Sequence, residues 1–160
     1  MQNTLNAMAS QCPDSIIVAG GYSQGAAVSH RAIESLDPAV QNQIAGVILY
    51  GDTQKQQVSY IAFFPTRPPD FRYPPVLTSE QQDNNQIPNF PQDKTKIICQ
   101  RGDLVCVGTL TITPAHLTYG ARADEGAAFL AQQIQGAQAA KKAKRALEEK
   151  AKRAAMDSAA

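Results

Sequence analysis

The stretch IVAGGYSQGAAV, residues 17–28, constrains this chain more than any other. A β-branched run leads into three glycines within six residues, and a helix-forming run follows at once. A buried helix would not tolerate so many glycines, and a flexible loop would not need the apolar run before them. The pattern is satisfied if a strand ends, the chain turns sharply with Ser23 at the corner, and a helix begins. A strand feeding directly into a helix is the repeating unit of α/β architecture.

The rest of the chain extends that unit. SIIVA, residues 15–19, reads as a short strand buried on both faces, as in parallel sheets. Residues 24–36 read as a helix with Ala27, Val28, Ala32 and Leu36 as its apolar contacts, closed by Asp37-Pro38. IAGVILY, residues 44–50, is a second buried strand closed by Gly51-Asp52, and KTKIIC, residues 94–99, is a third. Residues 123–135 read as a helix with Ala127, Leu130 and Ile134 on one face. This alternation predicts an α/β fold with a parallel sheet. Three strands are few for a sheet covered on both faces, so part of the sheet is expected to be missing.

Charge separates a body from a tail. From Gly136 to Ala160 there are seven Lys or Arg and three Asp or Glu, a balance of +4. The other eight basic and eleven acidic residues leave the body at −3. A mildly acidic body argues against nucleic-acid binding. No run of eighteen apolar residues exists, so no transmembrane segment is expected. The first residues, MQNTLN, lack the basic start and apolar centre of a signal peptide. The tail has high helix propensity and almost no apolar stripe, which reads as a solvated helical extension.

Cys99 and Cys106 enclose QRGDLV, with no second cysteine pair or histidine cluster nearby. That spacing favours a local disulfide over a metal site and points to an oxidising compartment. Cys12 is then left without a partner.

Gly21-Tyr22-Ser23-Gln24-Gly25 fits G-x-S-x-G, the pattern of a nucleophile elbow. The Gln24 N–H opens the helix, where it is free to face a developing oxyanion. A serine nucleophile needs a base, and the chain has two histidines. His30 lies seven residues along the helix, roughly 10 Å away, and reads as a helix-surface residue. His116, in TPAHLTY, is the one able to fold back onto the elbow. The acid is expected between serine and histidine in chain order. Asp103 qualifies, in a loop that a Cys99–Cys106 bridge would hold; Asp52, at a strand end, is the second candidate. Asp93 reads as a cap or a solvated strand start. No cofactor is needed for this chemistry.

Cys12-Pro13, GGYSQGAAV, IPNFPQDKTKIICQRGDLVC and TPAHLTYG together resemble the fungal cutinase family, in the family's order over residues 12–122. The resemblance implies a three-layer α/β/α hydrolase fold and a secreted serine esterase, monomeric when complete, that hydrolyses cutin and short-chain esters. Ser23, Asp103 and His116 match the positions of the family's triad. Cys99 and Cys106 match its second disulfide, and Tyr119 the residue following the histidine motif. Acetylxylan esterases share much of the pattern, so acetylated polysaccharide is an alternative substrate. In the family a long N-terminal part supplies the first strands, a partner for the cysteine matched by Cys12, and a serine completing the oxyanion hole. The chain therefore reads as truncated on that side, and a catalytically inactive fragment is the competing expectation.

Residues 58–82 depart from the family. They hold Phe63, Phe64, Phe71 and Tyr73 among five prolines, without usable periodicity. Joining Gln57 to Asp83 restores family-like sequence. Val58-Ser59 can be encoded GTAAGT and Gln82 CAG, the common ends of an intron. Residues 58–82 are thus expected to be translated intron, against the alternative of a lid or substrate loop. Sequencing the gene and its transcripts should find those codons, and spliced messages joining Gln57 to Asp83; other codons at both ends would refute the intron.

Overall fold

The computed structural model describes residues 1–54, 87–109 and 111–158. The segment 58–82, with its competing intron and lid readings, lies outside the described residues. Among the described residues the elements run α1 (Gln2–Gln11), β1 (Ile17–Tyr22), α2 (Gln24–Glu34), α3 (Pro38–Gln41), β2 (Ile44–Tyr50), β3 (Thr95–Ile98) and α4 (Ala123–Asp157), with four short 3-10 turns between β2 and α4, at Gln92–Lys94, Val105–Val107, Pro114–Leu117 and Tyr119–Arg122.

The three strands form one parallel sheet in the order β1-β2-β3. β2 is the middle strand, and all its residues but Tyr50 are buried. A strand covered on both faces has no polar side to alternate with, which is why IAGVILY is a continuous apolar run. Its alternate side chains serve two separate cores. Val47 and Leu49 join Ala19, Ile97, Ala26, Ile33 and Leu36 under α2. Ile48 joins Ile98 and Tyr119 on the other face, with Tyr50 and Leu130 of α4 packed against them. Helix, sheet and helix therefore stack as three layers, the α/β/α arrangement expected.

β1 reaches three residues beyond the expected end at Ala19. Gly20, Gly21 and Tyr22 pair with Ile48, Leu49 and Tyr50. Glycine has poor strand propensity, and here the neighbouring strand overrides it. α2 also differs from expectation. It buries Ala26, Ser29, His30, Ala32 and Ile33, whereas Val28 is 50% exposed. The apolar pattern alone suggested the Ala27/Val28 face; the turn at Ser23 sets the helix's rotation and turns Ala26 inward instead. α1 was not expected at all. Leu5 and Ala9 bury against the α2-side core, and the Gln2 amide donates to the Ser35 carbonyl.

α4 runs unbroken through the expected helix 123–135 and on into the basic tail. Its packing face centres on Gly126 and Leu130, and Ala127, expected on one face with Leu130 and Ile134, is exposed. Lys96 of β3 and Arg122 both bridge to Glu125, and the Lys96 hydrogen bond holds that carboxyl below its usual range. Lys141 donates to the carbonyls of Asp14 and Ser15, and Arg145, one turn on, pairs with the Asp14 carboxylate at 3.7 Å; residues 142–158 are exposed. No helix among the described residues is long and apolar enough to cross a membrane.

Because Leu49 is fully buried at the centre of the middle strand, Leu49→Ala should lower unfolding stability by about 2–5 kcal/mol. Urea denaturation checks this, with Leu147→Ala on the exposed tail changing stability by less than about 0.5 kcal/mol.

Candidate active site

Ser23 sits between β1 and α2 at φ 55° and ψ −121°. Almost only glycine adopts this region freely, so holding a serine there costs about 1–3 kcal/mol. The surroundings enforce it. The Ser23 N–H donates to the Tyr50 carbonyl at 2.8 Å, continuing the β1–β2 ladder by one residue. Gly21 makes the turn sterically possible: a Cβ there would lie 2.5 Å from the Gly25 carbonyl oxygen and 2.6 Å from the Ala26 nitrogen. Gly25 is different, since a Cβ at that position would meet open space. Ser23 occupies the N-cap position of α2, yet its hydroxyl caps no amide of that helix. It lies instead 2.8 Å from His116 Nε2.

His116 comes from a 3-10 turn, Pro114–Leu117, and is buried. Its Nδ1 lies 2.8 Å from Asp103 Oδ2, so Nδ1–H donates to the carboxylate and Nε2 is left as an acceptor for the serine hydroxyl. Asp103 is 3% exposed, so its charge must be compensated internally. His116 and the Tyr119 hydroxyl, at 2.6 Å, both donate to Oδ2, and the Val105 N–H donates to Oδ1. Cys99 and Cys106 form a disulfide across this loop, with Cα atoms 6.0 Å apart. The Thr113 hydroxyl donates to the Gly102 carbonyl and ties the histidine turn to the aspartate loop. Gln24 is the first residue of α2, where helical amides lack an intrahelical partner.

Three side chains expected from the sequence are thus brought together: serine hydroxyl, imidazole and buried carboxylate, in hydrogen-bonded line. That line can draw a proton from Ser23 and hold the resulting imidazolium. The other candidates are placed elsewhere. Asp52 does not reach His116. It pairs with His30, which corrects the helix-surface reading of that histidine: His30 is 4% exposed and its Nδ1 lies 2.5 Å from Asp52 Oδ2. A polar residue seven positions past the serine returns to nearly the same helix face, so it can be buried beneath α2. Asp93 is exposed in the turn before β3. Cys12 is free and exposed.

A model of the family described as Cutinase matches residues 1–134. The chain belongs to the cutinase family. Cutinase 3 of Emericella nidulans is 42% identical over 127 residues, covering 79% of this chain and 46% of that protein. Cutinase 2 of Fusarium vanettenii is 41% identical over 110 residues, 69% of this chain and 37% of its own length. Among solved structures, Trichoderma reesei cutinase in complex with a C11Y4 phosphonate inhibitor superposes with a TM-score of 0.62 at 31% identity, covering 84% of this chain and 48% of that one. The chain spans about half the length of the curated cutinases it matches.

Several residues that shape this cutinase site escaped the sequence reading. Tyr22, the variable residue of the elbow, stacks on the His116 ring at 5.2 Å and donates its hydroxyl to the His116 carbonyl at 2.7 Å. Gly51, at φ 60°, seats the imidazole: a Cβ there would lie 2.9 Å from His116 Cε1. Tyr119 accepts from the Gln100 N–H while it donates to Asp103. Its signal was present only as an aromatic at family position, and nothing in the spacing assigned it a bond.

Burial, and then the hydrogen bond to Asp103, push the Tyr119 phenol well above its ordinary value of 10. An unfolded tyrosine loses its proton near pH 10 while the folded one keeps it. Stability is therefore complete below pH 10 and falls above it, by ~1.4 kcal/mol per pH unit for one such group. Tyr119→Phe should remove that part of the alkaline slope, and should cost about 1–3 kcal/mol at neutral pH through the lost bond to a buried carboxylate. Urea titrations at pH 7 to 11 measure both.

Proposed function

We propose that the chain is a serine carboxylic-ester hydrolase of cutinase type, acting on cutin and short-chain esters. The observation that carries this reading is the Ser23–His116–Asp103 line, with both links at 2.8 Å and the serine held in a glycine-like conformation. Ser23 is the nucleophile, His116 the general base and then the general acid, and Asp103 holds the imidazole in the Nδ1–H tautomer. As Oγ attacks the ester carbonyl, His116 Nε2 takes its proton. The oxyanion is stabilised by the Gln24 N–H, aided by the positive end of α2. Collapse of the tetrahedral intermediate expels the alcohol, protonated by His116, and leaves an acyl-serine. Water, deprotonated by the same nitrogen, releases the acid. The Cys99–Cys106 disulfide supports a working place outside the reducing cytosol.

The test is hydrolysis of p-nitrophenyl butyrate by the full chain under oxidising conditions. Ser23→Ala and His116→Ala should each lower kcat/KM on the order of 10⁴-fold or more. Wild-type hydrolysis no faster than Ser23→Ala would overturn the esterase reading.

A further inference from the structure

One buried pair of titratable groups has no part in the reaction above. His30 and Asp52 are 4% and 0% exposed, and His30 Nδ1 lies 2.5 Å from Asp52 Oδ2. His30 belongs to α2, the helix that carries Ser23 at its start. Asp52 lies two residues past the end of β2. Its other oxygen, Oδ1, accepts the Gln54 N–H at 2.9 Å, which turns Oδ2 toward the helix.

The location gives the pair its meaning. Three consecutive residues at the end of β2 each hold a different part of the site. The Tyr50 carbonyl accepts the Ser23 N–H, Gly51 seats the His116 ring, and Asp52 grips α2 through His30. Serine and histidine come from opposite sides of the site, and this strand end is their common reference. Burying a hydrogen-bonded polar pair rarely adds much stability over apolar residues of the same shape. What a buried hydrogen bond adds is a fixed distance and direction. α2 also reaches its neighbours through the Ser29 hydroxyl on the Gly20 carbonyl and the exposed Arg31 on Gln54. The His30 bond is buried and ties the helix to the strand end that holds Ser23 and His116. A displacement of 1 Å at a reacting atom can lower a rate about 100-fold.

We infer that His30 and Asp52 are positioning residues for the nucleophile elbow: their hydrogen bond holds α2 at the height and rotation that bring Ser23 Oγ to His116 Nε2. The pair acts on turnover and not on substrate affinity. The inference rests on the esterase reading of Ser23 and His116.

The experiment uses the full 160-residue chain and the variants His30→Ala, His30→Asn, Asp52→Ala, His30→Ala with Asp52→Ala, and Ser23→Ala. An asparagine amide nitrogen sits close to where histidine carries Nδ1, so His30→Asn can still donate to Asp52. kcat and KM for p-nitrophenyl butyrate, and the rate of Ser23 labelling by a p-nitrophenyl phosphonate, are measured where near-UV circular dichroism shows each variant folded. His30→Ala should lower kcat and the labelling rate about tenfold or more with KM within about twofold, and His30→Asn should recover most of the loss. The double variant should lose no more than either single one. Where His30→Ala fails to fold, His30→Asn, Asp52→Ala and the double variant, which leaves neither buried partner unsatisfied, carry the comparison. Unchanged kcat in the folded variants, with Ser23→Ala inactive, overturns the positioning role alone. So does a His30→Asn enzyme no better than His30→Ala. Wild-type rates equal to those of Ser23→Ala overturn the esterase reading and the positioning role with it.

Discussion

The hydrogen bond from the Ser23 amide to the Tyr50 carbonyl is the constraint on which the site depends. It extends the pairing of β1 with β2 one residue past the strand, into a backbone conformation that serine does not adopt freely. The strain is tolerated because both sides of the corner are already committed. β1 is locked to β2 by five pairs in continuous register from Val18 to Tyr22, and α2 is packed on the sheet through Ala26 and Ile33. A free serine at such φ and ψ would relax; between two packed elements it cannot.

The hydroxyl's freedom follows from the same geometry. A serine at a helix N-cap ordinarily turns its oxygen back onto an amide of the first turn. At this corner it faces outward, to the imidazole. The loops that meet it are held by local chemistry. The disulfide closes residues 99–106, the Thr113 hydroxyl joins the two loops, and Tyr119 and the Val105 amide satisfy the buried Asp103 carboxylate. Without those donors the buried carboxylate would be left short of hydrogen-bond partners and could not hold His116 as firmly.

Much of this was legible in the residues. β2 was readable to the residue, because a strand buried on both faces is apolar throughout and ends at a turn signal. Ser23, Asp103 and His116 were readable as candidates because acyl-transfer chemistry calls for few residue types, and only two histidines were present. The elements misread were those whose exposure depends on a neighbour. Val28 and Ala127 looked like core residues from helical spacing, and His30 looked solvated. These three errors were of rotation, and nothing local to a helix says which way it is turned against a sheet. α1 and the last three residues of β1 were missed because their tertiary partners, not their own propensities, form them.

By itself, then, the sequence determined the order of strand, corner and helix, the closely spaced cysteines, and the side chains able to act as nucleophile, acid and base. Those follow from local rules: backbone preference, apolar runs, and the chemistry each side chain carries. Only the tertiary structure decided which carboxylate meets which histidine. Asp52 and Asp103 were both admissible by chain order, and the sheet sends one to His30 and the other to His116. The reason is directional. β2 ends beneath α2, whereas the 99–108 loop leaves β3 beside the turn that carries His116. Pairing across such distances in sequence is set by packing of the whole sheet, which no local pattern encodes.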